Sequence, residues 1–290
     1  MINPKHLLSL EAIAVHGSLT AAGDALGRSH SAISLHIKAL EEELETVVID
    51  RAARPLALTS DGLALVEQAR RYRRVMEDIR AIGQSTLLVG TLSVGIVPSV
   101  MSYIAPPALA LLRSEHPGMR LEIRTGLSGE LARAVETGEL DAAILTSPDL
   151  PPTDLEVWPV IEEPLVVIAP ADTPGDSDAD LLTNNPFIWF SRKTWAGQQI
   201  ERRLLDRGIR VNAAMEIDSL EAIEALVRHG LGVAIVPQRS GMDRSLECKP
   251  FCDPQAMRRV VLLSRGRSPK ARLVDAIKSA LKAATHPKDF

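Results

Sequence analysis

Between residues 61 and 84 the chain carries one unbroken helical pattern without a proline. About 24 residues at 1.5 Å each span roughly 36 Å, too long to lie on the short segment before them alone. Within this stretch Leu65, Ala69, Tyr72, Met76 and Ile79 step by four and three, the seam of a coiled coil. The other face bears Arg70, Arg71, Arg73, Arg74 and Arg80. A helix folded back on its own domain is the alternative; a second copy of the chain is the simpler host. The helix divides the sequence into a module over 1–60, a linker over 61–88 and a larger domain over 89–290.

In the first module Leu7, Leu8, Leu10, Ile13 and Ala14 share one face of a helix that stops at Gly17. Ser18 or Thr20 caps a short second helix over 21–26, ended by Gly27. Ser29 is the N-cap of a third helix reaching about residue 45, where Ile33, Ile37, Leu40 and Leu44 bury one face. Its opposite face carries Ser31, Ser34, Leu35 and Lys38, with His30 and His36 beside it. Small hydroxyl residues near a helix N-terminus let the backbone approach a groove and hydrogen-bond to base edges and phosphates. Val47-Val48-Ile49, a polar turn over 50–55 and the stretch 56–59 then read as strand, turn, strand. Such a wing places Arg51 and Arg54 where guanidinium groups reach a phosphate backbone. Helix, turn, helix alone occurs in many proteins that never touch DNA. Charge does not favour DNA either, because residues 1–60 hold five Lys and Arg against seven Asp and Glu.

From Gly90 onward, β-branched apolar runs alternate with amphipathic helices, the signature of βα units and a mainly parallel sheet. Strands are expected over 91–97, 120–124, 141–145, 165–169, 187–190, 211–217, 233–236 and 260–263, with a terminal helix over 270–283. One helix is expected to run from Pro98-Ser99 to about Arg113. Ligands of open α/β sheets sit outside the carboxyl ends of the strands, near helix N-termini with free amides. Those points here are Pro98-Ser99, Ser128-Gly129, Thr146, Ser191 and Asp218-Ser219. Each hydroxyl alone is an ordinary N-cap. Their recurrence at one topological end suggests a polar pocket.

Other function classes find little footing. At 46% hydrophobic and 24% charged the chain can bury a sizeable core, so it is not a disordered segment. No apolar run is long enough to cross a bilayer and the N-terminus is not a signal peptide, which leads us to expect a cytoplasmic protein without membrane contact. Cys248 and Cys252 read as two free thiols, with a redox pair as the alternative; two cysteines make neither a zinc site nor a disulfide framework. Gly126-Leu127-Ser128-Gly129 lacks the spacing of a nucleophile elbow, and Gly230-Leu231-Gly232 precedes a strand instead of opening a helix. There is no P-loop and the histidines lack metal-ligand spacing, so no catalytic residues, cofactor or metal are expected.

A joint pattern is more specific than its parts. Gly17-Ser18-Leu19-Thr20-Ala21-Ala22, Leu26, Ser29 to Ser34, and Ile37-Lys38-Ala39-Leu40-Glu41 closely resemble the helix-turn-helix of LysR-type transcriptional regulators. So does the order that follows, a wing with Arg51 and then Leu58-Thr59-Ser60-Asp61-Gly62 opening a long helix. The resemblance covers about 65 residues and extends architecturally over 89–290, with Gly230 to Pro237 the recognisable stretch there. It implies a winged helix-turn-helix, a linker helix and an α/β, two-lobed domain similar to periplasmic binding proteins. Lobe one then takes about 89–163 and 265–290, and lobe two about 164–264. By the same resemblance the third helix is the recognition helix, and the DNA contacts are Ser29, His30, Ser31, Ser34, Lys38, Arg51 and Arg54. The cleft would bind an inducer, an organic anion received by Ser99, Ser128, Thr146, Ser191, Arg192 and Asp218. Implied partners are double-stranded operator DNA, RNA polymerase and the chain itself, as a dimer or tetramer joined along the linker. His30 stands where the family has Gln, and Asp50 puts a carboxylate beside the DNA backbone. A solute-binding protein is the rival for 89–290, but it would need export and would not need the first 84 residues.

Overall fold

Asn3 and Pro4 begin the first helix, α1 (Pro4–His16): the Asn3 side chain accepts from Lys5 N, and the proline occupies a position that needs no donor. Gly17, at φ 73°, ends it in the left-handed region. Ser18 caps α2 (Leu19–Leu26), and Ser29 caps α3 (His30–Leu44). A two-residue ladder follows, β1 (Ile49–Asp50) against β2 (Ala57–Leu58), antiparallel. The strands are shorter than the apolar run at Val47 predicts, because neighbouring side chains claim the backbone there. Glu41 accepts from Val48 N and Ile49 N at 3.0 and 3.3 Å, and the Thr59 hydroxyl donates to Val47 O at 2.7 Å. Thr59 also caps α4 (Ser60–Ala81) through Gly62 N at 3.0 Å. Only glycine fits at 62, since a Cβ there would lie 2.1 Å from Val48 O. Leu10, Ile13, Ala22, Ile33, Ile37, Leu40, Val48, Ile49 and Val66 form the core of this unit. The structure, a computed structural model, describes residues 2–51, 53, 55–81, 88–148, 150 and 153–285. It divides into a first unit, Met1–Ser85, and a second, Thr86–Phe290. Arg54 and residues 82–87 lie outside the described residues, as do the side chains of Arg74 and Arg80.

The second unit has two lobes. In lobe one β3 (Gly90–Ile96) is parallel to both β4 (Met119–Thr125) and β5 (Ala142–Thr146). The helices α5 (Pro98–Met101), α6 (Ala105–Glu115) and α7 (Ser128–Glu136) fill the connections. Two helices replace the single one expected after Pro98, because Pro106 and Pro107 donate no backbone hydrogen bond and suit only a fresh first turn. A 14-residue strand, β6 (Glu156–Ala169), then runs through both lobes. In lobe two, β7 (Pro186–Phe190) is parallel to β8 (Asn212–Ile217) and β9 (Val233–Pro237), flanked by α8 (Asp178–Asn184), α9 (Trp195–Asp206) and α10 (Leu220–Arg228). β10 (Glu247–Pro250) pairs with β6, and β11 (Met257–Ser264) returns between β5 and β6 before α11 (Ala271–Thr285) closes on lobe one.

The order β4-β3-β5-β11-β6-β9-β7-β8 makes a mixed sheet: parallel within each lobe, antiparallel where β6 and β11 cross. Helices cover both faces of lobe two, so Phe187 and Trp189 enter one core while Ile188 and Phe190 enter another. No helix among the described residues is long and apolar enough to cross a membrane.

Candidate functional site

On α3 the buried face is Ile33, Ile37 and Leu40, which turns Ser29, His30, Ser31, Leu35 and Lys38 outward with Ser34 half-buried between them. The Ser29 hydroxyl is partly committed, accepting from Ala32 N at 3.2 Å. Lys38 pairs only loosely with Glu42, at 3.6 Å with both side chains exposed. Arg51 also faces solvent while held by Glu41 at 3.1 Å, so one carboxylate ties the third helix to the start of the wing. Asp50 accepts from Ala53 N at 3.2 Å and shapes the turn. The predicted DNA-facing residues from Ser29 to Lys38 thus stand along one side of one helix.

Behind that helix is a small histidine cluster. His36 Nδ1 lies 2.8 Å from Ser9 Oγ, and the His6 and His36 rings are 4.9 Å apart. Burial holds the His36 imidazole below its ordinary pKa, helped by the charges of His6, Arg28 and Lys5.

The seam read on α4 is split by the packing. Ala69 is buried and Leu65 packs on the core of its own unit, both drawn toward α1 with Val66. Tyr72 and Met76 instead line an open groove of about 470 Å³ with Leu8, Val15 and Leu26, while Val75 and Ile79 stay more than half exposed. Arg73 bonds Glu11 of α1 at 3.2 Å, fixing the crossing of the two helices.

In the second unit two predicted residues meet on a side chain that sequence reasoning missed. Arg258, on β11, is 1% exposed. Its Nε donates to Thr146 Oγ1 at 3.1 Å and its Nη2 to Ser99 Oγ at 2.7 Å. Nη1 faces Glu163 Oε2 of β6 at 3.4 Å, and neither atom has a hydrogen-bond partner. Tyr103 donates to the other oxygen of Glu163. Burial pushes the Glu163 carboxyl above the usual carboxylate range against the pull of Arg258, and burial together with Glu163 raises the Tyr103 phenol. Arg239, which follows β9 in lobe two, pairs with Glu224 of α10 and lies 5.8 Å over the Tyr103 ring. The cluster therefore bridges the lobes.

The other predicted effector residues are placed differently. Ser128 is buried in the first turn of α7, and Asp218 is exposed. Ser191 and Arg192 belong to a separate cluster on Glu216, not to the Arg258 group. The Ser191 hydroxyl lies 3.3 Å from Glu216 Oε1. Arg192 gives Glu216 its backbone N–H, Nε and Nη2, and stacks 5.2 Å over Trp189. Those bonds occupy the guanidinium that was expected to receive an anion. Arg258 was legible only in the alternation of β11, where an arginine takes an inward position in register with Val260 and Leu262. Both cysteines are free thiols.

Residues 4–63 match the bacterial regulatory helix-turn-helix of the lysR family, and residues 85–285 match the LysR substrate binding domain. The chain belongs to the LysR family. This LysR-type transcriptional regulator is 28% identical over 251 residues to the HTH-type transcriptional regulator CzcR of Bacillus subtilis, covering 86% of this chain and 85% of that one. It is 25% identical over 292 residues to the hydrogen peroxide-inducible genes activator of Haemophilus influenzae, covering 97% and 96%. In fold it is similar to a full-length OxyR variant from Pseudomonas aeruginosa, with TM-score 0.71 and 24% identity over 99% of this chain and all of that one. Full-length CbnR in complex with its target DNA gives TM-score 0.68 at 20% identity, covering 96% and 99%. The relatives are transcriptional regulators, so residues 85–285 of this LysR-type chain are an effector-binding domain, not an exported solute carrier.

Proposed function

We propose that this regulator is switched by a small organic anion whose carboxylate takes the place of Glu163 on Arg258, between the lobes. The observation that carries the reading is a fully buried guanidinium whose two good hydrogen bonds go to Ser99 and Thr146, while the facing atoms Arg258 Nη1 and Glu163 Oε2 make none. Exchanging one carboxylate for another leaves the buried charge balance intact, which a neutral ligand could not do. The reading is one of binding: the Ser99 hydroxyl accepts from the Arg258 guanidinium, an arrangement that suits holding an anion. Two copies joined at the α1–α4 groove would present paired α3 helices to a two-fold operator in the cytoplasm, with RNA polymerase as the eventual partner. The apolar strip Tyr72, Val75, Met76 and Ile79 supports that pairing. A ligand that binds one arrangement of the oligomer more tightly shifts its population.

Thermal-shift measurements on the full chain and on Glu163→Gln, with a panel of small mono- and dicarboxylates, test the effector site. A carboxylate should raise the melting temperature of the wild type, raise that of the variant more, and alter the complex with the DNA beside the gene. Equal shifts in both proteins, or none with any carboxylate, would sink it.

A further inference from the structure

Leu35 is a large apolar side chain that, among the described residues, takes no part in the core of its own unit. The buried face of α3 is already complete with Ile33, Ile37 and Leu40, and Leu35 is left 65% exposed on the other side. Single exposed leucines are ordinary on protein surfaces; what distinguishes this one is its place. Ser31 lies four residues before it, Ser34 one before and Lys38 three after, so it stands among short or charged polar groups on the outward side of the helix. In the major groove the base edges offer donors and acceptors with one apolar feature, the 5-methyl group of thymine. A leucine pressed against any other edge would strip water from polar atoms and give nothing back. The charge of the module points the same way. With five basic against seven acidic residues over 1–60, attraction to phosphates is weak, and base-edge contacts must carry more of the binding.

We propose that Leu35 is a specificity-determining residue that reads a thymine 5-methyl group in each operator half-site. This rests on α3 being the DNA-reading helix, and the experiment separates the two claims. Half-sites are obtained by selecting random duplexes with the full chain. Each thymine is then replaced in turn by deoxyuridine, which removes only the methyl group. Affinities are measured for the wild type and for Leu35→Ala, a substitution that an exposed helical position accepts without loss of fold. One thymine per half-site should cost the wild type about fourfold when demethylated, and about fifteenfold when both half-sites are changed. Leu35→Ala should bind the thymine and uracil duplexes alike. Tight operator binding with no uracil effect, or the same effect in Leu35→Ala, overturns the assignment and leaves α3 as the reader. An altered oligomer in Leu35→Ala without uracil sensitivity overturns it in favour of a protein contact. Selection that enriches no sequence overturns both claims.

Discussion

Glu163 faces Arg258 at 3.4 Å without a hydrogen bond between them, and its other oxygen accepts from Tyr103. Removing one member of a buried ion pair leaves the other uncompensated, so Glu163→Gln should lower the stability of the second unit by about 3 kcal/mol. A bound carboxylate should return much of that, which urea unfolding with and without the ligand would measure. His36 gives a prediction of opposite character. Its folded pKa lies below the ordinary 6.5, so the unfolded chain takes up a proton first. Stability of the DNA-binding unit is then present above about 6.5 and lost as the pH falls through the window below it. Burial is the largest cause; the charges of His6, Arg28 and Lys5 add to it. The urea midpoint of the first unit should drop between neutral pH and about pH 5.5, and His36→Gln should flatten the drop.

At the scale of elements, what was legible follows from where the backbone hydrogen bonds go. The helices α1, α2 and α3 announce themselves by their apolar faces, by Ser18 and Ser29 as caps of the second and third, and by the glycines that end the first two. The Asn3 cap of α1 emerged only in the structure. The wing strands did not keep to the apolar run at Val47, because Glu41 and Thr59 satisfy that backbone in place of a ladder. The first half of β6 escaped notice for a related reason: Pro159, Glu162 and Glu163 break its apolar pattern, and β11 alone pairs them into strand. In the candidate site Ser99 and Thr146 were legible from strand ends, but Arg258 was not, since Arg258-Arg259 looks like surface charge until the pleat is known. The seam of α4 divides in the same way. Leu65 and Ala69 face their own unit, while Tyr72 and Met76 line the groove and Ile79 is exposed, the strip proposed above for a second copy. Met76→Asp should therefore weaken self-association by about tenfold or more, by placing a carboxylate in an apolar contact. Sedimentation over a concentration series would detect it.

The whole molecule carries a formal charge of −4, unusual for a chain that must settle on a polyanion. Few counterions can be released on binding, so the affinity should depend only mildly on salt. Lys38, exposed and only loosely paired, is a cation available to phosphate. Lys38→Gln should lower the slope of log affinity against log salt by about one per half-site, with little change in sequence preference. A slope unchanged from the wild type would remove Lys38 from the backbone contacts. The effector-binding unit meets a different demand: a ligand-driven switch needs two arrangements close in energy, and separate lobe cores joined by β6 would permit them more readily than a single core.

One strand, β6, runs through both lobes, and Glu163 sits on it directly before Pro164, where pairing passes from β11 to β9. A ligand working there pushes close to the fulcrum. A door moved by its hinge needs a strong, short push but swings widely at its free edge. Under the proposed reading, a displacement no larger than one carboxylate at that point would move the outer rims of the lobes farther than it moves the cluster itself.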